Sequence, residues 1–167
     1  MQEISEKIEP TSGMTPGSVV AGQGHGAAFV PPPGFEVSDS GGTFNDHIGP
    51  IWCRRSETAS TLLFKIEKHH TNPNGTIHGG VLLSLFDIVL GHAIEGLRDG
   101  PEFHHAITMH LDCNFISGAT LGEIVRAESR ADKVGRSVAF SRAEIRVDDR
   151  LIATASALYK PPRLKDV

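Results

Sequence analysis

From Phe44 onward, apolar and polar positions alternate in blocks divided by turns. Phe44 to Ile48 reads as a short helical turn. Ile51 to Arg55 and Thr61 to Lys68 read as strands, the second with Leu62, Phe64 and Ile66 on one face. Asn72-Pro73-Asn74-Gly75 is strong turn chemistry inside a loop from His69 to Thr76. The period then changes. Gly79 to about Leu97 predicts a helix, stopped at Asp99-Gly100-Pro101 because proline cannot continue it. Its apolar residues (Val81, Leu82, Leu83, Leu85, Phe86, Ile88, Val89, Leu90, Ala93, Ile94 and Leu97) cover nearly every side. A helix of that kind is surrounded rather than laid on a surface.

The second half supplies what surrounds it. His105, Ile107, Met109, Leu111, Cys113 and Phe115 alternate with polar residues along one long predicted strand. Leu121 to Lys133, Ser137 to Asp148 and Leu151 to Lys160 follow as strands, with turns at Val134-Gly135-Arg136 and Asp148-Asp149-Arg150. Leu151, Ala153, Ala155, Ala157 and Tyr159 share a face of the last strand, and small alanines let a sheet approach a helix closely. One buried helix wrapped by a long antiparallel sheet is the hotdog architecture, an α+β fold.

Composition narrows the class. A chain of 167 residues with 39% hydrophobic and 22% charged residues is one globular domain able to bury a core. A net charge of −4 argues against a dedicated nucleic-acid binder. The first twenty residues carry Glu3, Glu6, Lys7 and Glu9 and no long apolar run, so no secretory signal is expected. Val81 to Ala93 is short for a membrane span and carries Asp87, so no membrane is expected and the location read is cytoplasmic. Nine of the 18 glycines and six of the ten prolines lie before residue 51. Residues 1–35 therefore read as a flexible arm ending at Pro31-Pro32-Pro33, and residues 36–167 as the folded domain.

Asp87 is the chemical anomaly. A carboxylate in the middle of an apolar helix is costly unless paired or at work, and burial there makes a carboxylate a better base. Opposed to this is a structural Asp facing solvent or a hydrogen-bonded partner, with about even odds. The helix start is the second feature: His78-Gly79-Gly80 leaves backbone N–H groups uncovered at the positive end of the helix dipole. Such an end holds a phosphate or polarises a carbonyl oxygen, whereas the plainer function of the glycines is close packing. Nine histidines raise the question of a metal. His69, His70 and His78 share a loop, and His104, His105 and His110 share a strand on which neighbours point to opposite faces. No set has firm ligand spacing, so no metal is expected. Cys53 and Cys113, with no CxxC, read as core thiols.

Together these residues make a specific pattern. His70-Thr-Asn72-x-x-Gly75-x-x-His78-Gly79-Gly80 followed by Asp87 resembles the PaaI-like branch of hotdog-fold acyl-CoA thioesterases, relatives of 4-hydroxybenzoyl-CoA thioesterase. Ile48-Gly49-Pro50, Ser117-Gly-Ala-x-Leu121-Gly122-Glu123 and Val134-Gly135-Arg136-Ser137 extend the resemblance from about Phe44 to Tyr159. It implies hydrolysis of an acyl-CoA to free acid and CoA, with no cofactor beyond the coenzyme A of the substrate. It implies Asp87 as general base or nucleophile, Asn72 placing substrate or water, and the Gly79 N–H polarising the thioester carbonyl beside Gly80. It implies that His78 fixes the loop, and that Thr108 stands where the family often has a serine that orients water. Strict alternation, however, sets Thr108 opposite Ile107 and Met109. The neighbouring possibilities are a hotdog enoyl-thioester hydratase, loosely suggested by Asn72-Pro73, and a non-catalytic acyl-CoA sensor, against which the retained Asp87 argues.

Gly79 and Asp87 are eight residues apart on one helix, about 12 Å of rise. Two groups acting on one thioester carbon cannot be that far apart. The expected minimum is therefore a homodimer with shared sites, which the resemblance also implies, often doubled into a tetramer. For the phosphates of coenzyme A the candidates are Lys133, Gly135, Arg136 and Ser137 at a tight turn, and less so Arg163 and Lys165. For each charge alone, a solvated surface position is the commoner case. The acyl group stays open, with Leu82, Phe86 and Met109 as the residues expected to shape its pocket.

Overall fold

A computed structural model describes residues 29–38, 44–57, 59–96 and 106–161. Leu97, the Asp99-Gly100-Pro101 stop, His104, His105, Arg163, Lys165 and most of the expected arm lie outside these residues. The elements are β1 (Glu36–Val37), α1 (Phe44–Ile48), β2 (Ile51–Arg55), β3 (Ala59–Lys65), a 3-10 turn (Lys68–His70), α2 (Gly79–Glu95), β4 (Ile107–Phe115), β5 (Ile124–Val134), β6 (Ala139–Val147) and β7 (Arg150–Lys160). The strands form one seven-stranded sheet, entirely antiparallel, in the order β1-β2-β3-β5-β6-β7-β4. α2 lies across it. This is the hotdog fold.

Small residues let the helix sit close. Ser60, Ser129, Ala143, Ala155 and Cys113 are cross-strand partners in register, so one row of short side chains crosses β3, β5, β6, β7 and β4. Leu82, Leu85, Phe86, Val89, Leu90, Ala93 and Ile94 of α2 are buried in the core above the sheet. The Ser129 hydroxyl, itself buried, donates to the Val89 carbonyl at 2.6 Å, tying a helix carbonyl to the sheet. The thiols behave as core groups: Cys53 is buried, Cys113 half-buried, and burial pushes both thiols up. The outer face of β5 and β6 carries Arg126, Glu128, Arg130, Arg142, Glu144 and Arg146, partly paired with one another.

Three expectations change. The apolar row of β4 does not enter the core: Ile107 is 61% exposed, Met109 59% and Phe115 55%, while Leu111 and Cys113 pack against it. The cause is topological: β4 is the last strand of the sheet, and among the described residues it pairs only with β7. α2 is not surrounded either, since Leu83 and Asp87 lie on an exposed face. The strand expected over 61–68 ends at Lys65, and Lys68–His70 winds into the 3-10 turn.

Residues ahead of the expected domain start at position 36 engage the sheet as well. The Phe29 ring meets Trp52 edge-on at 4.9 Å between centroids, and Arg54 stacks its guanidinium over Phe35 at 4.7 Å. β1, too short for any periodicity, then pairs with β2. A chain starting at residue 36 is expected to be about 1–2 kcal/mol less stable than one starting at residue 29, the sum of one aromatic pair and one exposed cation–π contact. Urea midpoints of the two truncations measure it.

Candidate active site

The loop before α2 is built to hold one shape. The Asn72 Oδ1 accepts from the Asn74 N–H at 2.9 Å and the Thr76 N–H at 3.3 Å, and its Nδ2 donates to Thr76 Oγ1 at 3.0 Å. Gly75 takes φ +77°, a left-handed turn that other residues adopt at a cost. Thr71 and Ile77 bridge, and the His78 N–H reaches the His70 carbonyl at 2.8 Å. A second loop braces the first: Ile77 N–H donates to the Ala119 carbonyl at 2.7 Å and Thr76 pairs with Thr120. That approach requires Gly118, where a Cβ would fall 2.8 Å from Thr76 Cγ2. Arg150 locks the brace by donating to the Gly118 carbonyl and, at 2.5 Å, to Glu123. Glu123 in turn accepts from the Thr120 N–H at 2.6 Å, and that bond foremost holds its carboxyl below the usual range.

His70 is the buried anchor of this loop. It is 2% exposed, its Nδ1 accepts the Glu67 N–H at 2.9 Å, and its ring leans on Phe64. Its Nε2 makes no hydrogen bond of normal geometry, although the Ile48 carbonyl faces the ring. Burial, then the neighbouring His69, push the ring down from 6.5 to about 4, against weaker upward pulls from Glu67 and Ile48.

His78 caps the helix: it is the residue before α2, and its Nδ1 accepts the Gly80 N–H at 2.9 Å. Gly79 opens the helix beside the Phe115 ring, which an added Cβ would approach to 3.2 Å. The Gly79 N–H meets no acceptor among the described residues.

Two turns further on, Asp87 lies at a cleft of about 430 Å³ lined by Phe44, Asn45, Leu83, Ser84, Ile88, Thr108 and Leu111. Thr108 donates from Oγ1 to Asp87 Oδ1 at 2.6 Å. Strict alternation misplaces it because the β4–β7 register shifts between Thr108 and His110, so the bulge at Met109 reverses the phase of the strand start. Asp87 is exposed in the single chain, so the desolvation expected of a mid-helix carboxylate is absent there: the apolar residues around it leave its own face open. Leu82 and Phe86, expected to shape the pocket, point into the core instead, and Met109 does not line the cleft.

Tyr159 is the neighbour that sequence reasoning missed. It donates to the Asp87 carbonyl at 3.0 Å, and its hydroxyl lies 3.5 Å from Oδ1. Burial first, then the Asp87 carboxylate, push its phenol up. Only its place at the end of an alanine-rich strand face hinted at contact with the helix.

Lys133, Gly135, Arg136 and Ser137 stand apart from this cleft at the β5–β6 hairpin, where the Gly135 N–H closes on the Val138 carbonyl at 2.9 Å. Lys133, Arg136 and Ser137 are exposed. Among the described residues no group of three or more His, Cys, Asp or Glu is placed to hold a metal, and no helix is long and apolar enough to cross a membrane.

Known proteins share sequence and fold with this chain. Residues 74–154 match the thioesterase superfamily model. A Pseudomonas aeruginosa protein assigned by name to the esterases is 32% identical over 132 residues, covering 78% of this chain and 97% of its own. Human acyl-coenzyme A thioesterase 13 is 29% identical over 81 residues, 48% of this chain and 56% of that protein. A solved mutant of the phenylacetic acid degradation protein PaaI from Thermus thermophilus superposes with a TM-score of 0.62 at 19% identity, over 70% of this chain and 96% of that one, a likeness of fold. The chain belongs to the thioesterase superfamily, whose reaction class is thioester hydrolysis.

The His70 anchor carries a pH signature. Unfolded, the ring takes a proton near 6.5; folded, only near 4. Between those values the unfolded chain binds more protons, so this contribution to stability is whole above pH 6.5 and erodes as pH falls toward 4. The urea midpoint is expected to fall over that window, and to fall less steeply in His70→Gln.

Proposed function

We propose that this chain hydrolyses an acyl-CoA thioester to a carboxylic acid and free CoA, with Asp87 as general base. The observation that carries the reading is the Thr108–Asp87 contact at the cleft. Thr108 occupies Oδ1 at 2.6 Å, while Oδ2 meets no donor among the described residues. An open carboxylate oxygen facing a cavity with apolar walls suits a water positioned against an acyl thioester. The acyl-CoA substrate is inferred from the family and from the name of the human relative.

In the proposed step, water attacks the thioester carbon as Asp87 takes its proton. The carbonyl oxygen, now negative, is met by a Gly79 N–H at the positive end of a helix. Collapse of the tetrahedral species breaks the carbon–sulfur bond, and the departing thiolate recovers the proton as CoA thiol.

The Gly79 that serves Asp87 belongs to a second copy, because eight residues of helix separate the two by about 12 Å. The open face of α2 at Leu83 and Asp87, with Ile107, Met109, Phe115 and Ile116 on and beside the free edge of β4, is the surface such a copy would cover. Covering it would also remove Asp87 from water. Asn72, its side chain occupied by Thr76 and Asn74, acts here by fixing the loop that presents Gly79. Lys133, Gly135, Arg136 and Ser137 are proposed as the resting place of the nucleotide end.

Asp87→Asn keeps the size and removes the base. Steady-state hydrolysis of an acyl-CoA panel is expected to drop about 10²–10⁴-fold with the circular dichroism unchanged; near-normal turnover would sink the mechanism. Mixing tests the shared site. Asp87→Asn and Gly79→Pro, which removes the N–H, each inactive alone, are expected to recover activity when co-expressed, since one site of each heterodimer receives both intact groups. Proline suits the first helical position after the extended His78, and the exposed Phe115 ring has to yield only a few tenths of an ångström to its Cβ. Verified heterodimers with no activity would rule out sharing.

A further inference from the structure

Tyr159 is 1% exposed in a core that is otherwise almost wholly apolar. Phenylalanine would fill the same space without a hydroxyl to satisfy. The ring crosses α2 at Gly91, where an added Cβ would already touch Cε1 at 3.7 Å. From there the hydroxyl reaches the Asp87 carbonyl at 3.0 Å and comes within 3.5 Å of Asp87 Oδ1. The carbonyl of a residue inside a helix already serves the N–H four positions on, so it does not need this bond. Thr108, opposite Tyr159 in the β4–β7 register, donates to the same Oδ1. Thr108 therefore holds Oδ1 outright, the one Tyr159 proton is shared between the Asp87 carbonyl and the more distant Oδ1, and Oδ2 meets no donor among the described residues.

We propose that Tyr159 is a positioning residue for the hydrolysis described above: its hydroxyl, hung on the Asp87 carbonyl beside Oδ1, holds the carboxylate with Oδ2 toward the cleft. The inference rests on Asp87 being the base. A donor near Oδ1 draws electron density from the carboxylate and favours its charged form. Removing the donor moves the acid limb of the kcat profile to higher pH, and strengthening it moves the limb to lower pH. The charged groups facing the phenol are Asp87 and Glu95, both on α2. Its strand neighbours, Ala139 on β6 and Thr108 on β4, carry no charge.

The chain has a single tyrosine, so two experiments address this hydroxyl alone. In Tyr159→Phe, kcat is expected to fall about fivefold, the worth of one hydrogen bond, with KM within about twofold and the acid limb displaced upward. Protein grown with 3-fluorotyrosine keeps the size of the side chain and sharpens the donor, so its acid limb is expected to move downward. A ring that only fills space predicts profiles that superimpose on the wild type in both proteins, and that result overturns the proposal even if Tyr159→Phe is slow. Should Tyr159→Phe fail to fold, the fluorinated protein decides alone. Asp87→Asn separates the two readings: if it stays active the base assignment fails, whereas if it is inactive and both Tyr159 profiles are unmoved, Tyr159 alone is misassigned.

Discussion

The depth at which α2 seats in the sheet governs everything else in the molecule. A helix on a sheet is held off it by the cushion of large side chains between them. Here the row from Ser60 to Cys113 removes the cushion along one line across five strands. The helix carbonyls at Asp87 and Val89 come near enough to be held by hydroxyls, from Tyr159 and Ser129 respectively. Two such bonds on carbonyls two residues apart fix the rotation of α2 about its axis. That rotation sets which residues face the core and which face the cleft, and so where Asp87 stands.

Polar groups in this structure are spent on position. Asn72 braces its own loop, His78 caps the helix, and Glu123 and Arg150 brace the neighbouring loop. At the helix start and the cleft, two groups stay uncommitted among the described residues: the Gly79 N–H and one oxygen of Asp87. A site held this way reorganises little when a reaction begins, which is where electrostatic stabilisation gains most of its effect. In the proposed mechanism one chain does not suffice, because these two groups lie at opposite ends of one helical stretch.

Much of this was legible in the sequence, for physical reasons. Strands β2 to β7 and helix α2 show their periods because each has one face committed to the core, and the loop from His70 to Gly80 shows its turn residues because only they adopt its backbone. Ala153, Ala155 and Ala157 announce a close approach of helix and sheet. Exposure of β4 was not legible, since Ile107, Met109 and Phe115 are as apolar as core residues and only topology reveals that the described residues leave them open. Tyr159 read as one more apolar position because a pattern of hydrophobicity carries no information about a hydroxyl reaching a helix. Alternation turns Thr108 to the polar face, opposite Ile107 and Met109, whereas it donates to Asp87 on the helix side. The error lay in treating the strand as uninterrupted.

That interruption makes β4 two strands in effect, joined out of step at Met109. Each half keeps its own parity with respect to β7. A variant that closed the bulge without losing a residue, by pairing Met109 with Tyr159, would regularise the strand and turn Thr108 away from the helix, whereas deleting Met109 would keep Thr108 opposite Tyr159. The irregularity therefore stands as a frame marker: a variant could gain sheet regularity and lose the Thr108–Asp87 contact in the same event. Screens that select only for stability would favour such variants.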